Sequence, residues 1–155
     1  MIKDVIFDRK PMKKMIEVRK APIDGADYQT LKEKNFFDKK EYADMVDETC
    51  HTSDVELYVA LSGESGEIYG FLLISMATKD AISILKLSIS ADFGHEDLRK
   101  ALLDLALEDK KPKAIVGEVT QEEVAFFEDY GFYTTEIGEN LPGEISYYAT
   151  YRNVK

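Results

Sequence analysis

The chain carries one cysteine, two histidines and no tryptophan in 155 residues. Cys50 alone cannot close an internal disulfide, and one thiol with two imidazoles is too small a donor set for a structural zinc site. Cys50 and His51 are adjacent, but neighbours on a helix point apart, so they do not form a nucleophile–base pair. No apolar run approaches the roughly 20 residues needed to span a membrane. Residues 1–15 scatter Lys and Asp where a secretory leader has an apolar centre. These absences lead us to expect a cytoplasmic protein with no membrane partner. Positive charge is also scarce: 20 Lys and Arg stand against 30 Asp and Glu, a net charge of −10. Such a field repels phosphate backbones, so nucleic acid is not an expected partner. It favours cations instead: polyamines, aminoglycoside-like amines, lysine side chains or basic peptide tails. The same acidity also serves solubility on its own.

What is present is a globular composition, 45% hydrophobic and 32% charged. The length suits one domain over residues 1–155, with residues 1–14 as an N-terminal extension. Residues 5–7 of that extension offer an edge strand or a partner contact. Residues 15–20 (MIEVRK) alternate apolar and polar positions, which predicts a half-buried strand. Asp27 is placed to cap a helix through residues 31–34, and Asp38 a second helix over 39–49. Residues 55–61 and 68–76 read as strands around a turn of Ser62, Gly63, Glu64, Ser65 and Gly66, which lacks the Lys of a phosphate loop. With residues 81–90 they form an antiparallel meander.

A helix over 96–110 follows, with Leu98, Ala101, Leu102, Leu105 and Ala106 on one stripe and Leu103 and Leu107 widening it. The short apolar strand 114–119 comes next, and a strand–helix–strand link favours parallel pairing. An acidic helix over 121–130 stops at Gly131, the residue that best takes the left-handed helix-end conformation. Strands over 133–137 and 145–152 close the chain as a hairpin around a 138–143 turn. Tyr147, Tyr148 and Tyr151 in the last strand suit core and dimer-edge positions, leaving a homodimer open.

The segment Ala125-Phe126-Phe127-Glu128-Asp129-Tyr130-Gly131-Phe132, with the strand and leucine-rich helix upstream of it, resembles the second half of the GNAT family of N-acetyltransferases. The element order over residues 16–152 matches that family as well. The resemblance implies an α+β (α/β) fold with a mixed, mostly antiparallel central sheet, a splayed parallel strand pair and flanking helices. It also implies acetyl-coenzyme A as cofactor. Its pantetheine would lie along Leu87, Ser88 and Ile89, its pyrophosphate on the helix that starts at Glu96, and Phe127 would close the site. The physics of the phosphate position is general, since unpaired N–H groups and the helix dipole favour an anion there.

The family loop is Arg/Gln-x-x-Gly-x-Gly/Ala. Here the stretch is Gly94-His95-Glu96-Asp97-Leu98-Arg99, so Gly94 replaces the first residue and Asp97 and Arg99 replace the two small ones. The spacing from Ile89 to Ala101 is kept. Glu96 and Asp97 bring carboxylates near the expected phosphates, and at about 5 Å each like-charge pair costs about 1–3 kcal/mol. His95, Arg99 and Lys100 offset part of that. Glu96 and Asp97 also serve simply as helix-start residues.

Acetyl transfer needs a base to free the attacking amine, donors for the tetrahedral oxyanion, and an acid for the departing thiolate. The family often places a Tyr acid where Phe127 stands, and a phenyl ring donates no proton. Tyr130, on a neighbouring part of the same helix face, is the candidate acid, with Tyr133 and Tyr147 behind it. Glu118, near the end of the splayed strand, is the candidate base. Glu56, Glu67 and Lys86 carry no distinguishing signal. Asp38, Glu41, Asp44, Asp47 and Glu48 would draw in a cationic acceptor, a small-molecule or peptide amine. The rival reading is a catalytically silent member of the fold that binds a ligand or protein.

Overall fold

The computed structural model describes residues 2–9, 12–23, 25–33, 54–76, 80–89, 96–141 and 144–152. Eight strands make one sheet: β1 (Ile2–Arg9), β2 (Met12–Ala21), β3 (Val55–Ser62), β4 (Ile68–Ser75), β5 (Ala81–Ile89), β6 (Ala114–Thr120), β7 (Tyr133–Leu141) and β8 (Glu144–Arg152). Their spatial order is β1-β2-β3-β4-β5-β6-β8-β7. The helices are α1 (Ala26–Glu33), α2 (Glu96–Lys110) and α3 (Val124–Tyr130), with a 3-10 turn, Gln121–Glu123, leading into α3. Every neighbouring strand pair is antiparallel except β5 with β6. The mixed sheet, the meander, the parallel pair and the closing hairpin expected from the sequence are all present. The second front helix expected over residues 39–49 lies outside the described residues, as do Cys50, His51, Gly94 and His95.

The N-terminal residues take the edge-strand option: β1 pairs with β2 from Ile2 opposite Arg19 to Arg9 opposite Met12. Asp27 does not cap α1. The helix starts one residue earlier, with Gln29 N–H donating to Gly25 O at 3.1 Å. The Asp27 carboxylate instead accepts from Arg19 at 3.0 Å, tying α1 to β2. A strand arginine held at a fixed distance is a better partner for this carboxylate than the first-turn N–H groups. The helix expected over 121–130 is split. Glu123 folds back to accept from the Thr120 N–H at 3.0 Å and the Thr120 hydroxyl at 2.9 Å, which tightens the first turn before α3 begins. The Gly138–Gly143 turn shrinks because β7 runs on to Leu141, absorbing register shifts at Gly138 and after Glu139.

Two cores sandwich the sheet. On one face α2 sends Leu98, Leu102, Leu103, Leu105 and Ala106 against Val18, Tyr58, Leu72, Ile82 and Ile115, and α3 adds Phe126 and Phe127. On the other face α1 contributes Tyr28 and Leu31 to a cluster with Leu57, Val59, Phe71 and Leu73. The alternation of β3 and β4 between these clusters is the period-two signature of a strand buried on both sides. One stripe of α2 is buried, as its leucine spacing predicts.

Candidate functional site

The sheet opens where its one parallel ladder among the described residues ends. β5 and β6 pair from Ala81 with Ala114 to Ile84 with Gly117 and no further. Beyond that point each strand follows its other neighbour. β5 stays with β4, through a register shift after Ile84, until Ile89 lies opposite Gly70. β6 stays with β8 until Thr120 lies opposite Ser146. The strands therefore diverge into a V. At its apex Gly117 permits a close approach, since an added Cβ would sit a tight 3.1 Å from the Ile84 Cβ.

Register sorts the residues of the V onto two faces. Leu87 lies opposite Leu72 and joins the α2-side core with Val119 and Phe127, and Ile89 packs against it. Lys86 and Ser88 lie opposite Leu73 and Phe71, on the α1 side. Glu118, exposed on β6, lies opposite Tyr148 of β8, which in turn lies opposite Thr135 of β7. Tyr148 is 46% exposed and Tyr133, on the same face, 77%. Glu118 thus stands beside the opening on an accessible face, where a candidate base is useful. Tyr147 packs on the opposite, α2-side core.

Of the other expected site residues, Leu98 and Phe127 lie on the α2 side. Glu96 and Asp97 open α2, and Leu98 points into the core at 1% exposure. Phe127 is equally buried, edge-on to Phe126 and Phe132 at 5.1 and 4.9 Å between ring centres. Both side chains are sealed, so they shape the wall of the V as packing residues. Arg99, in the first turn of α2, sets its guanidinium 5.6 Å from the Phe126 ring centre. Its Nε is buried without a hydrogen-bond partner among the described residues. A buried donor left unpaired costs about 1–3 kcal/mol.

Tyr130 does not face the V. Its hydroxyl donates to Asp104 Oδ1 on α2 at 2.7 Å, and its ring stacks edge-on with Tyr151 at 5.4 Å. Burial first, then the Asp104 carboxylate, push its pKa well above the ordinary tyrosine value, which makes it a poorer acid. Asp104 lies 26 positions before its partner, and no local spacing announces such a pair.

A second polar group escaped the sequence reading. At the C-terminal end of α2, Tyr58 donates to Asp109 at 2.6 Å, Lys110 to Glu56 at 2.8 Å, and Lys20 reaches Glu56 at 2.9 Å and Asp109 at 3.5 Å. Two lysines balance two carboxylates, joining β2, β3 and α2. Burial alone would raise the Glu56 and Asp109 carboxyls, but hydrogen bonds and positive charge outweigh it and hold both below the usual range. The reciprocal partners raise Lys20 against the lowering effect of its burial. Nothing in Glu56 as a letter marked it; the strands that assemble the group lie far apart in sequence.

No family model and no curated protein matches this sequence. Solved structures do. The chain is similar to a GNAT family acetyltransferase from Elizabethkingia anophelis with acetyl-CoA bound, at 19% identity and a TM-score of 0.66, over 88% of this chain and 97% of that one. An aminoglycoside 6'-N-acetyltransferase complexed with coenzyme A aligns at 9% identity and a TM-score of 0.72, over 89% and 97%. A dodecameric spermidine N-acetyltransferase from Vibrio cholerae aligns at 13% identity and 0.66, over 88% and 93%. The chain therefore has the fold of the GNAT acetyltransferases, with the parallel pair and flanking helices in their places.

Proposed function

We propose that the protein is an acetyl-CoA-dependent N-acetyltransferase acting on a primary amine of a small molecule or protein. The observation that carries this reading is the V between β5 and β6, in a fold shared with acetyltransferases solved with coenzyme A or acetyl-CoA. The residues present fit such a cofactor in three respects. Leu87, Ser88 and Ile89 show no ladder partner on the β6 side, so an extended amide-bearing chain can take that edge. The first turn of α2 offers its N–H groups to a pyrophosphate. Arg99, whose Nε is unpaired among the described residues, brings a positive charge to that turn. Arg99 takes over from the absent glycines as the basis of anion binding, working against the charges of Glu96 and Asp97.

When bound, the cofactor supplies an acetyl group activated as a thioester. The chain's part is to bind, orient and move protons. Glu118 accepts a proton from the acceptor's ammonium, directly or through a water, so that the free amine can attack. Its negative charge, in an acidic protein, draws that cation to the α1 side of the V. We assign Tyr130 no part in the chemistry, because its proton is committed to Asp104. The buried Phe127 favours the second reading, a catalytically silent binding module, because α3 then offers no proton to a leaving thiolate.

Thermal unfolding with and without saturating acetyl-CoA tests the cofactor. At about 100 times its dissociation constant a ligand adds about 2.7 kcal/mol, which raises Tm by roughly 5–10 °C for a domain of this size. No shift at millimolar ligand overturns the reading. A shift without acetyl transfer to a broad amine panel leaves the silent module.

A further inference from the structure

We propose that the groove between α2 and α3 is a second binding site, for an organic cation with an apolar body. The groove has a volume of about 480 Å³, within the range of small-molecule sites. Its floor is aromatic: Phe126, Tyr130 and Tyr151 line it, with the Tyr130 and Tyr151 rings 5.4 Å apart. Its rim is charged. Asp104 on α2 and Asp129 on α3 both line it, and Lys100 lies one turn before Asp104.

The site is separate from the V. Tyr151 lies opposite Ile115, which lies opposite Ile82 in the closed part of the parallel ladder. At about 3.3 Å per residue, Ile115 is about 10 Å back along β6 from Glu118. Asp104 is likewise about 12 Å along the α2 axis from Glu96. A ligand here is neither in the opening nor on the first turn of α2.

Charge and shape choose the ligand. The rim holds two carboxylates and one ammonium, an excess of one negative charge. Tyr130 occupies only Oδ1 of Asp104, and Asp129 has no ion-pair partner among the described residues. Carboxylates above an aromatic floor recognise an ammonium or guanidinium, which gains from both the ion pair and the ring faces. Tyr130, in that floor, donates to Asp104 and holds it in place. A nucleotide would instead bring phosphates against both carboxylates.

Calorimetric titration of the full chain tests this with a matched pair, 2-phenylethylamine and 2-phenylethanol, and with adenosine monophosphate as the anionic alternative. The amine is expected to saturate in the millimolar range and bind more tightly than the alcohol. Asp129 is exposed, so Asp129→Asn keeps the fold, and it should weaken the amine about threefold to tenfold. Lys100→Gln should tighten it. Binding that survives Glu118→Gln places the amine in the groove and not at the V. The proposal is overturned if the amine does not saturate, if the alcohol binds equally, or if Asp129→Asn changes nothing. Amine binding lost with Glu118→Gln also overturns it, as does adenosine monophosphate binding that Asp129→Asn tightens.

Discussion

Glu118 sits one residue past Gly117, and Gly117 is where two strands part. The glycine lets Ile84 approach, and the next side chain on β6 then stands exposed beside the opening. Its place beside the opening is what marks Glu118; Glu56 lies elsewhere, on two lysines, and Glu123 on Thr120. Glu118→Gln keeps size and removes basicity. Acetyl transfer should fall about 10²–10⁴-fold, the usual span for a general base, while the acetyl-CoA thermal shift persists. Full transfer by the variant at neutral pH would remove Glu118 from the mechanism.

Among the elements, α2 does most to connect the parts. Its first turn borders the V, its middle walls the groove, and its last turn enters the Lys20–Glu56–Asp109–Lys110 group. That group has a pH signature with a definite sign. Glu56 and Asp109 have depressed folded pKa values, so their contribution is present above the unfolded carboxylate range near pH 4 and is lost as pH falls through the folded values. Lys20 and Tyr58 have raised values, so their contribution is present below about pH 10 and is lost as pH rises through the folded values. Urea unfolding should therefore show a stability plateau between these limits. Replacing Tyr58 by Phe and Glu56 by Gln together should flatten both flanks. Unchanged flanks in the double variant would show that other groups set the pH dependence.

For the whole molecule, the sheet has two edges, and β1 forms one of them. β1 covers β2, which would otherwise present ten residues of strand edge, including the buried Ile16 and Val18. An uncovered strand edge is a template for pairing with another chain. Removing residues 1–9 should leave the two cores and the acetyl-CoA response in place but promote self-association, read by light scattering at rising concentration. A truncated chain that stays as dispersed as the full one would show that β1 has no protective role.

The residues by themselves marked most of the described helices and strands. Apolar spacing along α2, alternation in β2 and the glycine that ends α3 at φ 124° are local signals, each set by neighbours within a few positions. The order of elements then sufficed to expect the parallel pair, and the family resemblance implied the V. Tertiary structure alone decided what each polar side chain does. Asp27 left its cap for Arg19, Tyr130 turned to Asp104, and Glu56 met two lysines. A carboxylate's role depends on the nearest opposite charge or donor in space, and folding brings that partner from elsewhere in the chain.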